Sequence, residues 1–379
     1  MTLTISDFDA FFKEIHSNSP FKWQQELAEH VCNSGKWPQA LNLPTAAGKT
    51  SVIDIAVFHL ALEANKKQDR DAPIRIVFVV DRRLVVEDAF EHAFKIAEKI
   101  EKAERPITKK VNESLKSLSA SDKPLSVVKM RGGMVQENDW VKTPAQPSII
   151  ISTVDQVGSR LLFRGYGVSR SMRPVHAGLL GSDVLYILDE AHTAQPFCNT
   201  LNEIQAMQPK KPFRPFGFVS MSATLPEKYS SWPNKKQTKN LFQDKSIKER
   251  LSAHKIAKLV KVVSGKEQQY NKFVTLAFDL AKSENVRSIG IVVNRVITAR
   301  EIFSRIKMKI GEDKNYEVHL LIGRTRPLER DTFIKENLKQ IRNNGVIKVN
   351  KIFFVATQCI EVGVAVSYTH LTLPTKRIV

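Results

Sequence analysis

Residues 184–192 read Val-Leu-Tyr-Ile-Leu-Asp-Glu-Ala-His, and this stretch decides the fold. The run Val184–Leu188 predicts a strand buried on both faces, because strands of a parallel sheet between two helical layers are continuously apolar. The strand ends in two adjacent carboxylates, Asp189 and Glu190. Ligands of open α/β sheets bind beyond the carboxyl ends of the strands. The stretch therefore predicts a parallel sheet with a site at its edge.

Strand and helix patterns alternate on both sides of this stretch, which predicts a doubly wound α/β fold. Before residue 227 the other predicted strands and helices are Ile74–Val80, Ser148–Ser152, Gly217–Met221, Ser51–Ala64 and Leu84–Ile100. After a Lys-rich polar segment the alternation resumes, and it predicts a second domain of the same kind. Its predicted elements are Gln268–Lys282, Ser288–Val293, Ile297–Lys307, Glu317–Ile322, Pro327–Arg342 and Lys351–Val355.

The composition is that of a globular protein with an excess of positive charge. The 379 residues include 58 Lys+Arg against 39 Asp+Glu, a net charge of +19. Such a balance favours nucleic acid as the partner, with solubility alone as the other interpretation. The apolar runs are strand-sized, residues 1–9 lack the pattern of a signal peptide, and the three cysteines form no CxxC pair. We therefore expect no membrane span, disulfide framework or zinc site, and a cytoplasmic location.

Residues 43–50, Leu-Pro-Thr-Ala-Ala-Gly-Lys-Thr, have the chemistry of a phosphate-binding loop. Small residues let backbone N–H groups turn toward phosphates, and here they are Thr45, Ala46, Ala47 and Gly48. Lys49 is expected to reach the β- and γ-phosphates, and the Thr50 hydroxyl to bind Mg²⁺. Leu43 stands where the strict pattern has glycine. The loop predicts ATP and Mg²⁺ as cofactors.

The carboxylates after Leu188 complete this chemistry. Asp189 is expected to hold Mg²⁺, and Glu190 to orient and deprotonate the attacking water. A strand end capped by acidic residues is the structural alternative, but the upstream loop and the downstream run at 222–224, Ser-Ala-Thr, disfavour it. The predicted catalytic residues are Lys49, Asp189, Glu190 and His192, with Ser222 and Thr224 coupling nucleotide to nucleic acid.

An adenine contact is predicted upstream of the loop, in residues 20–24, Pro-Phe-Lys-Trp-Gln. The amide of Gln24 can read the donor and acceptor edges of adenine, and an aromatic ring such as Phe21 can stack on the base. Phe21 and Trp23 fit a role in the hydrophobic core equally well.

Three segments between the phosphate loop and the carboxylates have the features of nucleic-acid contacts. They combine arginines, close backbone approach and a helix N-terminus, whose N–H groups favour phosphate. The predicted contact residues are Arg82, Arg83, Arg131, Gly132, Thr153 and Gln156. Asp81 and Thr153 also fit helix N-caps, and the Gly-Gly pair at 132–133 also fits a turn.

Taken together, these motifs resemble the helicase of type I CRISPR systems, and most closely its I-U (I-G) branch. The resemblance runs over about residues 20–364, and its segments are residues 44–50, 80–86, 131–133, 152–167 and 188–197. It implies a superfamily 2 helicase core of the DEAH type, built from two RecA-like doubly wound parallel-sheet domains. It also implies ATP-driven 3′-to-5′ translocation on single-stranded DNA, recruited by a guide-RNA surveillance complex.

The resemblance further implies an HD-type, metal-dependent nuclease. The sequence contains no His-Asp doublet, so we expect the nuclease on a separate chain or in a further C-terminal domain. In the second domain, the motifs imply nucleic-acid contacts from Asn294, Arg295, Arg324, Thr357 and Gln358, and coupling through Gly363.

The end of the chain departs from the family pattern. Ala365 stands in place of an Asp, and no candidate arginine finger follows Gly363. Such a residue contributes about 10³–10⁵ in rate, so we expect weak ATP binding and slow turnover. The expected domains are 1–226 (ATP-binding), 227–266 (Lys-rich connector) and 267–366 (second domain, incomplete). Residues 367–379 resemble translated adaptor read-through, with a native strand at 370–373 as the alternative.

Other functions share the same core motifs. A superfamily 2 RNA helicase, a restriction-type DNA translocase and a non-catalytic nucleic-acid-binding module remain open. Intact Lys49, Asp189 and Glu190 disfavour the last. Basic composition gives affinity for phosphate and does not by itself distinguish DNA from RNA.

Overall fold

The computed structural model describes residues 3–44, 47–80, 83–130, 132, 139–209, 213–222, 231–233, 244–252, 260, 265–284, 286–323 and 351–357. The chain divides into two compact units, residues 1–253 and 254–379. The division falls inside the segment 227–266, where the sequence predicts a connector.

The first unit is built on a parallel sheet. Its strands are β1 (Ala40–Asn42), β2 (Arg75–Val80), β3 (Ser126–Met130), β4 (Ser148–Thr153), β5 (Val184–Leu188), β6 (Phe216–Ser222) and β7 (Ser231–Trp232). They lie in the order β3-β4-β2-β5-β6-β1-β7, and all described pairs are parallel. Every residue of β2, β4 and β5 is buried, as their continuous apolar runs predict.

Helices cover this sheet. They are α1 (Phe8–His16), α2 (Lys22–Ser34), α3 (Val52–Glu63), α4 (Arg83–Lys102), α5 (Pro106–Leu118), α6 (Asp139–Lys142), α7 (Val154–Leu161), α8 (Arg173–Gly181), α9 (Gln195–Met207) and α10 (Lys245–Ser252). Short 3₁₀ helices span Ile5–Asp7, Lys49–Ser51, Ala64–Asp69 and Ala191–Thr193. Two apolar clusters, which share the residues of β2, β4 and β5 between them, form the core on the two faces of the sheet.

A buried carboxylate ties three of these helices together. Asp54 of α3 is fully buried, and its two oxygens lie 2.7 Å from Nε2 of His16 in α1 and 2.7 Å from Nε2 of His92 in α4. Burial raises the pKa of Asp54, but the charges and hydrogen bonds of the two histidines outweigh it and lower the pKa below the ordinary value. The N-terminal helix is thereby fixed to the helix that follows the phosphate loop.

The described part of the second unit is a smaller α/β structure. Strands β8 (Ser288–Val292), β9 (Tyr316–Leu321) and β10 (Lys351–Ala356) form a parallel sheet in the order β8-β10-β9. Helices α11 (Lys266–Ala281) and α12 (Val296–Ile310) pack on it through one apolar cluster. The predicted helix Pro327–Arg342 lies outside the described residues.

The predicted α/β fold class with parallel, doubly wound sheets is confirmed, and most predicted strands agree with the structure to within a residue or two. Within the described part of the chain, no helix has the length and apolar character that crossing a bilayer requires.

Candidate nucleotide site

The strand order brings the predicted catalytic residues together. Strand β6 lies between β5 and β1, and all three are parallel, so their carboxyl ends meet at one edge of the sheet. The phosphate loop follows β1, Asp189 and Glu190 follow β5, and Ser222 is the last residue of β6. This edge is where an open α/β sheet binds its ligands.

Lys49 bridges the two carboxylates. Its Nζ lies 3.7 Å from Oδ1 of Asp189 and hydrogen-bonds to Oε1 of Glu190. The three side chains are only 10%, 16% and 18% exposed, so their charges interact in a partly desolvated place. One ammonium against two carboxylates leaves a net charge of −1, which suits a divalent cation with oxygen ligands. Asp189 and the Thr50 hydroxyl are the residues that would hold Mg²⁺ there.

The protonation of Asp189 depends on what faces it. Burial raises the pKa of Asp189 above its ordinary value, and the charge of Glu190 raises it further, while Lys49 opposes both. A divalent cation at this carboxylate would favour its charged form in the same way as Lys49 does.

Glu190 has a strained backbone. Its φ is +47°, in the left-handed region that side-chain-bearing residues rarely adopt. Such conformations cost about 1–2 kcal/mol and persist where the surroundings impose them, often at functional sites. The turn carries Glu190 back toward Lys49 directly after the buried strand.

His192 connects the carboxylates to the end of β6. Its Nδ1 is hydrogen-bonded to the hydroxyl of Ser222 at 2.9 Å and lies 3.4 Å from Oε2 of Glu190. One imidazole therefore contacts both the residue predicted to activate water and a residue predicted to couple the site to nucleic acid. Thr224, the other predicted coupling residue in this motif, lies outside the described residues.

The residues predicted to contact adenine hold the phosphate loop from the start of helix α2. Gln24 is buried, and its Nε2 donates to the hydroxyl of Ser51 at 2.6 Å. Its Oε1 accepts the backbone N–H of Phe21 at 2.7 Å, and its Nε2 lies 3.4 Å from the carbonyl of Gly48. The amide of Gln24 is therefore engaged within the protein in this structure, and its role in adenine recognition remains a prediction.

Trp23 also holds the backbone of the phosphate loop. From the sequence, this residue fits the hydrophobic core as well as it fits an adenine contact. Nε1 of Trp23 donates to the carbonyl of Ala47 at 3.0 Å. Gly48 has a φ of +76°, a conformation that favours glycine, and a Cβ there would make a tight contact of 3.2 Å with Nε2 of Gln24. Thr45 and Ala46 lie outside the described residues. Neither Trp23 nor Ser51 carried a sequence signal for this support, because both contacts depend on how α2 packs.

The predicted nucleic-acid residues of the first unit are only partly described. Thr153 and Gln156 are both buried, Thr153 at the start of α7, and Oε1 of Gln156 accepts a hydrogen bond from Arg160 at 2.8 Å. Gly132 is a partly exposed turn residue. The side chains of Arg82, Arg83 and Arg131 lie outside the described residues.

The second unit contributes three described candidates. Asn294 and Arg295 are exposed at the end of β8 and the start of α12, and Thr357 is buried after β10, where its N–H donates to the carbonyl of Leu321 at 3.1 Å. Since β8 and β10 are adjacent and parallel, both groups lie at the carboxyl edge of this sheet. Arg324, Gln358 and Gly363 lie outside the described residues.

Comparison with protein families gives a match over residues 17–227, more than half of the chain, to the family described as type III restriction enzyme, res subunit. The chain belongs to this family. Comparison with curated proteins finds no match. The family makes the chain a superfamily 2 helicase-like, nucleic-acid-dependent ATPase by class.

Solved helicase structures share the fold. Mss116p bound to ssRNA and AMP-PNP has a TM-score of 0.58 at 17% identity, over 96% of this chain and 67% of that one. Dbp5 of S. cerevisiae bound to RNA and ADP BeF3 has a TM-score of 0.51 at 13% identity, covering 92% and 74%. The Mycobacterium smegmatis helicase Lhr bound to ssDNA and AMP-PNP has a TM-score of 0.52 at 15% identity, covering 96% and 42%. These likenesses identify the fold as the superfamily 2 helicase core with RecA-like domains.

Proposed function

We propose that the chain is an ATP-dependent translocase on single-stranded DNA that acts in CRISPR antiviral defence with a guide-RNA surveillance complex. The observation that carries the motor function is the bridge from Lys49 to Asp189 and Glu190 at the carboxyl edge of the first sheet. A phosphate loop, two carboxylates and a histidine linked to the end of β6 are the parts that couple nucleotide hydrolysis to movement.

Each side chain has a distinct task in this proposal. The Lys49 ammonium exchanges its carboxylate partners for the β- and γ-phosphates, which frees Asp189 to hold Mg²⁺. Mg²⁺ bound there would neutralise charge on the phosphate oxygens. Glu190 accepts the proton of the attacking water. His192 contacts both Glu190 and Ser222, so it transmits the change that hydrolysis causes at Glu190 to Ser222. The nucleic acid is contacted by residues of the second domain, namely Asn294, Arg295 and Thr357.

The finer assignment rests on other support. The segments at 44–50, 152–167 and 188–197 resemble the type I CRISPR helicase, and the +19 charge suits a polyanionic partner. The resemblance also supports a nuclease on a separate chain or further domain. The three widely spaced cysteines fit a cytoplasmic protein. Residues 1–226 and 267–366 would be the two motor domains, joined by 227–266.

The test measures ATP binding with a fluorescent nucleotide and ATP hydrolysis, each with no nucleic acid, single-stranded DNA or single-stranded RNA. We expect slow hydrolysis that DNA stimulates and RNA does not. The Glu190→Gln control keeps the size of the side chain and removes its basicity, so it should bind ATP as the wild-type chain does and lose about 10²–10⁴ of the wild-type turnover. Normal turnover in Glu190→Gln would refute the assigned base, and stimulation by RNA alone would refute the DNA assignment.

The family match favours a second candidate, a restriction-type DNA translocase. Restriction enzymes act on duplex DNA, so this candidate predicts that blunt duplex DNA stimulates ATP hydrolysis to the same extent as single-stranded DNA. Stimulation by single strands alone would favour the CRISPR assignment instead.

A further inference from the structure

The segment between α7 and α8 exposes large apolar side chains. Residues 162–172, which we call the arginine-aromatic loop, include Leu162, Phe163 and Tyr166, exposed by 53%, 62% and 60%. Exposed aromatic rings grouped within five residues differ from apolar side chains scattered singly over a surface, which need no explanation.

Phe163 occupies a backbone position that favours glycine. Helix α7 ends in a Schellman motif, in which the N–H of Arg164 donates to the carbonyl of Ser159 at 2.7 Å and that of Phe163 to Arg160 at 3.2 Å. Phe163 is the left-handed residue of this motif, with a φ of +60°. An aromatic residue is strained there, and burial of the ring does not compensate, because most of the ring is in solvent.

The loop backbone is fixed from inside the protein. Arg160 is buried, and its guanidinium donates to the carbonyl of Tyr166 at 3.3 Å and to the carbonyl of Gln156 at 2.9 Å. Gly165 has a φ of +57°, and a Cβ there would lie 2.9 Å from Cβ of Val168. The loop therefore presents its rings from a defined backbone, which lowers the entropy cost of binding a partner.

The charge around the rings selects the partner. From Gln156 to Ser182 the sequence has four arginines, Arg160, Arg164, Arg170 and Arg173, and no Asp or Glu. Arg164 and Arg170 are exposed within the loop. Exposed aromatic rings in a segment that carries arginines and no acidic residue suit a flexible polyanion whose bases stack and whose phosphates pair with arginine.

We propose that Phe163 and Tyr166 form a base-stacking surface for single-stranded nucleic acid, with Arg164 and Arg170 contacting its phosphates. This rests on the proposed function in that it takes nucleic acid as the partner. Base stacking is independent of sequence, as a translocase requires, because every base has a π-face.

The test separates stacking on bases from attraction to phosphates. Fluorescence anisotropy would measure the affinity of the full chain for oligothymidylate of about 20 nucleotides and for an abasic strand with the same number of phosphates. The wild-type chain should prefer the strand with bases. The double variant Phe163→Ala/Tyr166→Ala should bind oligothymidylate about 5- to 150-fold more weakly for each base that no longer stacks, and bind the abasic strand as before.

Control variants make each outcome decisive. Phe94→Ala removes an aromatic ring that is 54% exposed on α4 and should leave both affinities unchanged. Arg164→Ala/Arg170→Ala should weaken both strands equally and lower the salt slope by about 1 for each phosphate that arginine no longer neutralises. The proposal is overturned if the aromatic double variant keeps the preference for bases, or if it weakens the two strands equally. If wild-type protein binds neither strand, the nucleic-acid assignment of the proposed function fails as well.

Phe163→Gly adds a readout of opposite sign. Glycine relieves the left-handed strain, so the protection of α7 against hydrogen exchange should rise while the preference for bases falls. Phe163→Tyr should restore that preference. A fall in both stability and affinity would mean that the ring is structural, and would contradict the proposal.

Discussion

The sheets of the two units follow the same strand–helix alternation but are buried differently. In the first unit β2, β4 and β5 are buried at every residue, whereas in the second β8 has an exposed residue at its centre and β9 is partly exposed over most of its length. The first sheet is covered by apolar clusters on both faces, and the described residues of the second form one cluster.

This difference in burial determines where charged side chains interact strongly. Lys49, Asp189 and Glu190 lie at the edge of a sheet whose strands exclude water, so their interactions are strong and the pKa of Asp189 responds to the charges of the other two. Asn294 and Arg295, at the corresponding edge of the second sheet, are exposed. Exposed groups contribute little to stability, but they can contact a polyanion without a desolvation cost, which fits the division of tasks proposed above.

The largest expected effect comes from removing the central charge of the first edge. Lys49→Ala removes the group that faces the phosphates and should lower ATP hydrolysis by about 10²–10³-fold, with nucleotide binding weakened as well. Arg295→Ala, at the second edge, should leave nucleotide binding intact and weaken only DNA binding. Fluorescent-nucleotide titration and steady-state hydrolysis check both variants.

Lys66→Ala is the matched control for the first of these. Lys66 also pairs with a carboxylate of the first unit, Glu63, but it lies more than half exposed and away from the site. Its loss should leave turnover within a factor of about two. If Lys66→Ala impaired hydrolysis as Lys49→Ala does, general loss of stability rather than local chemistry would explain both.

The burial difference also predicts unequal costs of core truncation. Ile150, at the centre of β4, is fully buried, and Ile150→Ala should cost about 2–5 kcal/mol. Val318 of β9 is partly exposed, and Val318→Ala should cost about 1 kcal/mol or less. Hydrogen exchange followed by mass spectrometry measures each unit separately, which global melting of a two-unit chain does not. Equal costs would show that the two sheets are equally well covered.

The same contrast explains how far the sequence predicts the structure. The strands of the first sheet read as unbroken apolar runs, so β2, β4 and β5 could be located to within about a residue. Strand β1 has only three residues, Ala40–Asn42, and is formed by pairing with β6 and β7, which no local pattern reveals. The sequence pattern does not predict helix α1, because this helix precedes the motifs that define the first domain.

Site chemistry was more predictable than site support. The residue types of the phosphate loop and of Asp189 and Glu190 define their chemistry, and parallel strands bring them to one edge. The contact from Gln24 to Ser51 depends instead on how α2 packs against the phosphate loop, which is a matter of tertiary structure. The exposure of Phe163 is of the same kind, because Leu161–Phe163 reads as an apolar run that would be expected in the core.

A smaller effect is expected in how the stability of the first unit depends on pH. His176 in α8 is buried with its ring edge against Trp140, and burial, reinforced by the charge of Arg160, lowers its pKa to about 4. The unfolded chain has the ordinary histidine pKa near 6.5, so it binds a proton in the range where the folded unit does not. Stability of the first unit should therefore fall as the pH drops from about 6.5 toward 4.

His176→Gln identifies the source of this loss. Glutamine does not titrate, so the protection of β4 and β5 against hydrogen exchange, corrected for intrinsic rates, should depend less on pH over this range in the variant than in the wild type. An unchanged slope in the variant would mean that other groups carry the acid sensitivity of the first unit.

The smallest expected effect tests whether there is space for a side chain at the exposed centre of β8. Gly290 lies at the exposed centre of β8, opposite Phe354 of β10, and a Cβ there would meet no atom of the described residues within 4 Å. Gly290→Ala should therefore stabilise the second unit by about 0.5–1 kcal/mol, because it reduces the entropy of the unfolded chain and introduces no clash. Gly165→Ala in the first unit should destabilise, since its φ is +57° and its Cβ would clash with Val168. Hydrogen-exchange protection of β8 and β10 reads out the first change. A loss of protection in Gly290→Ala would mean that this face of the second sheet is covered after all.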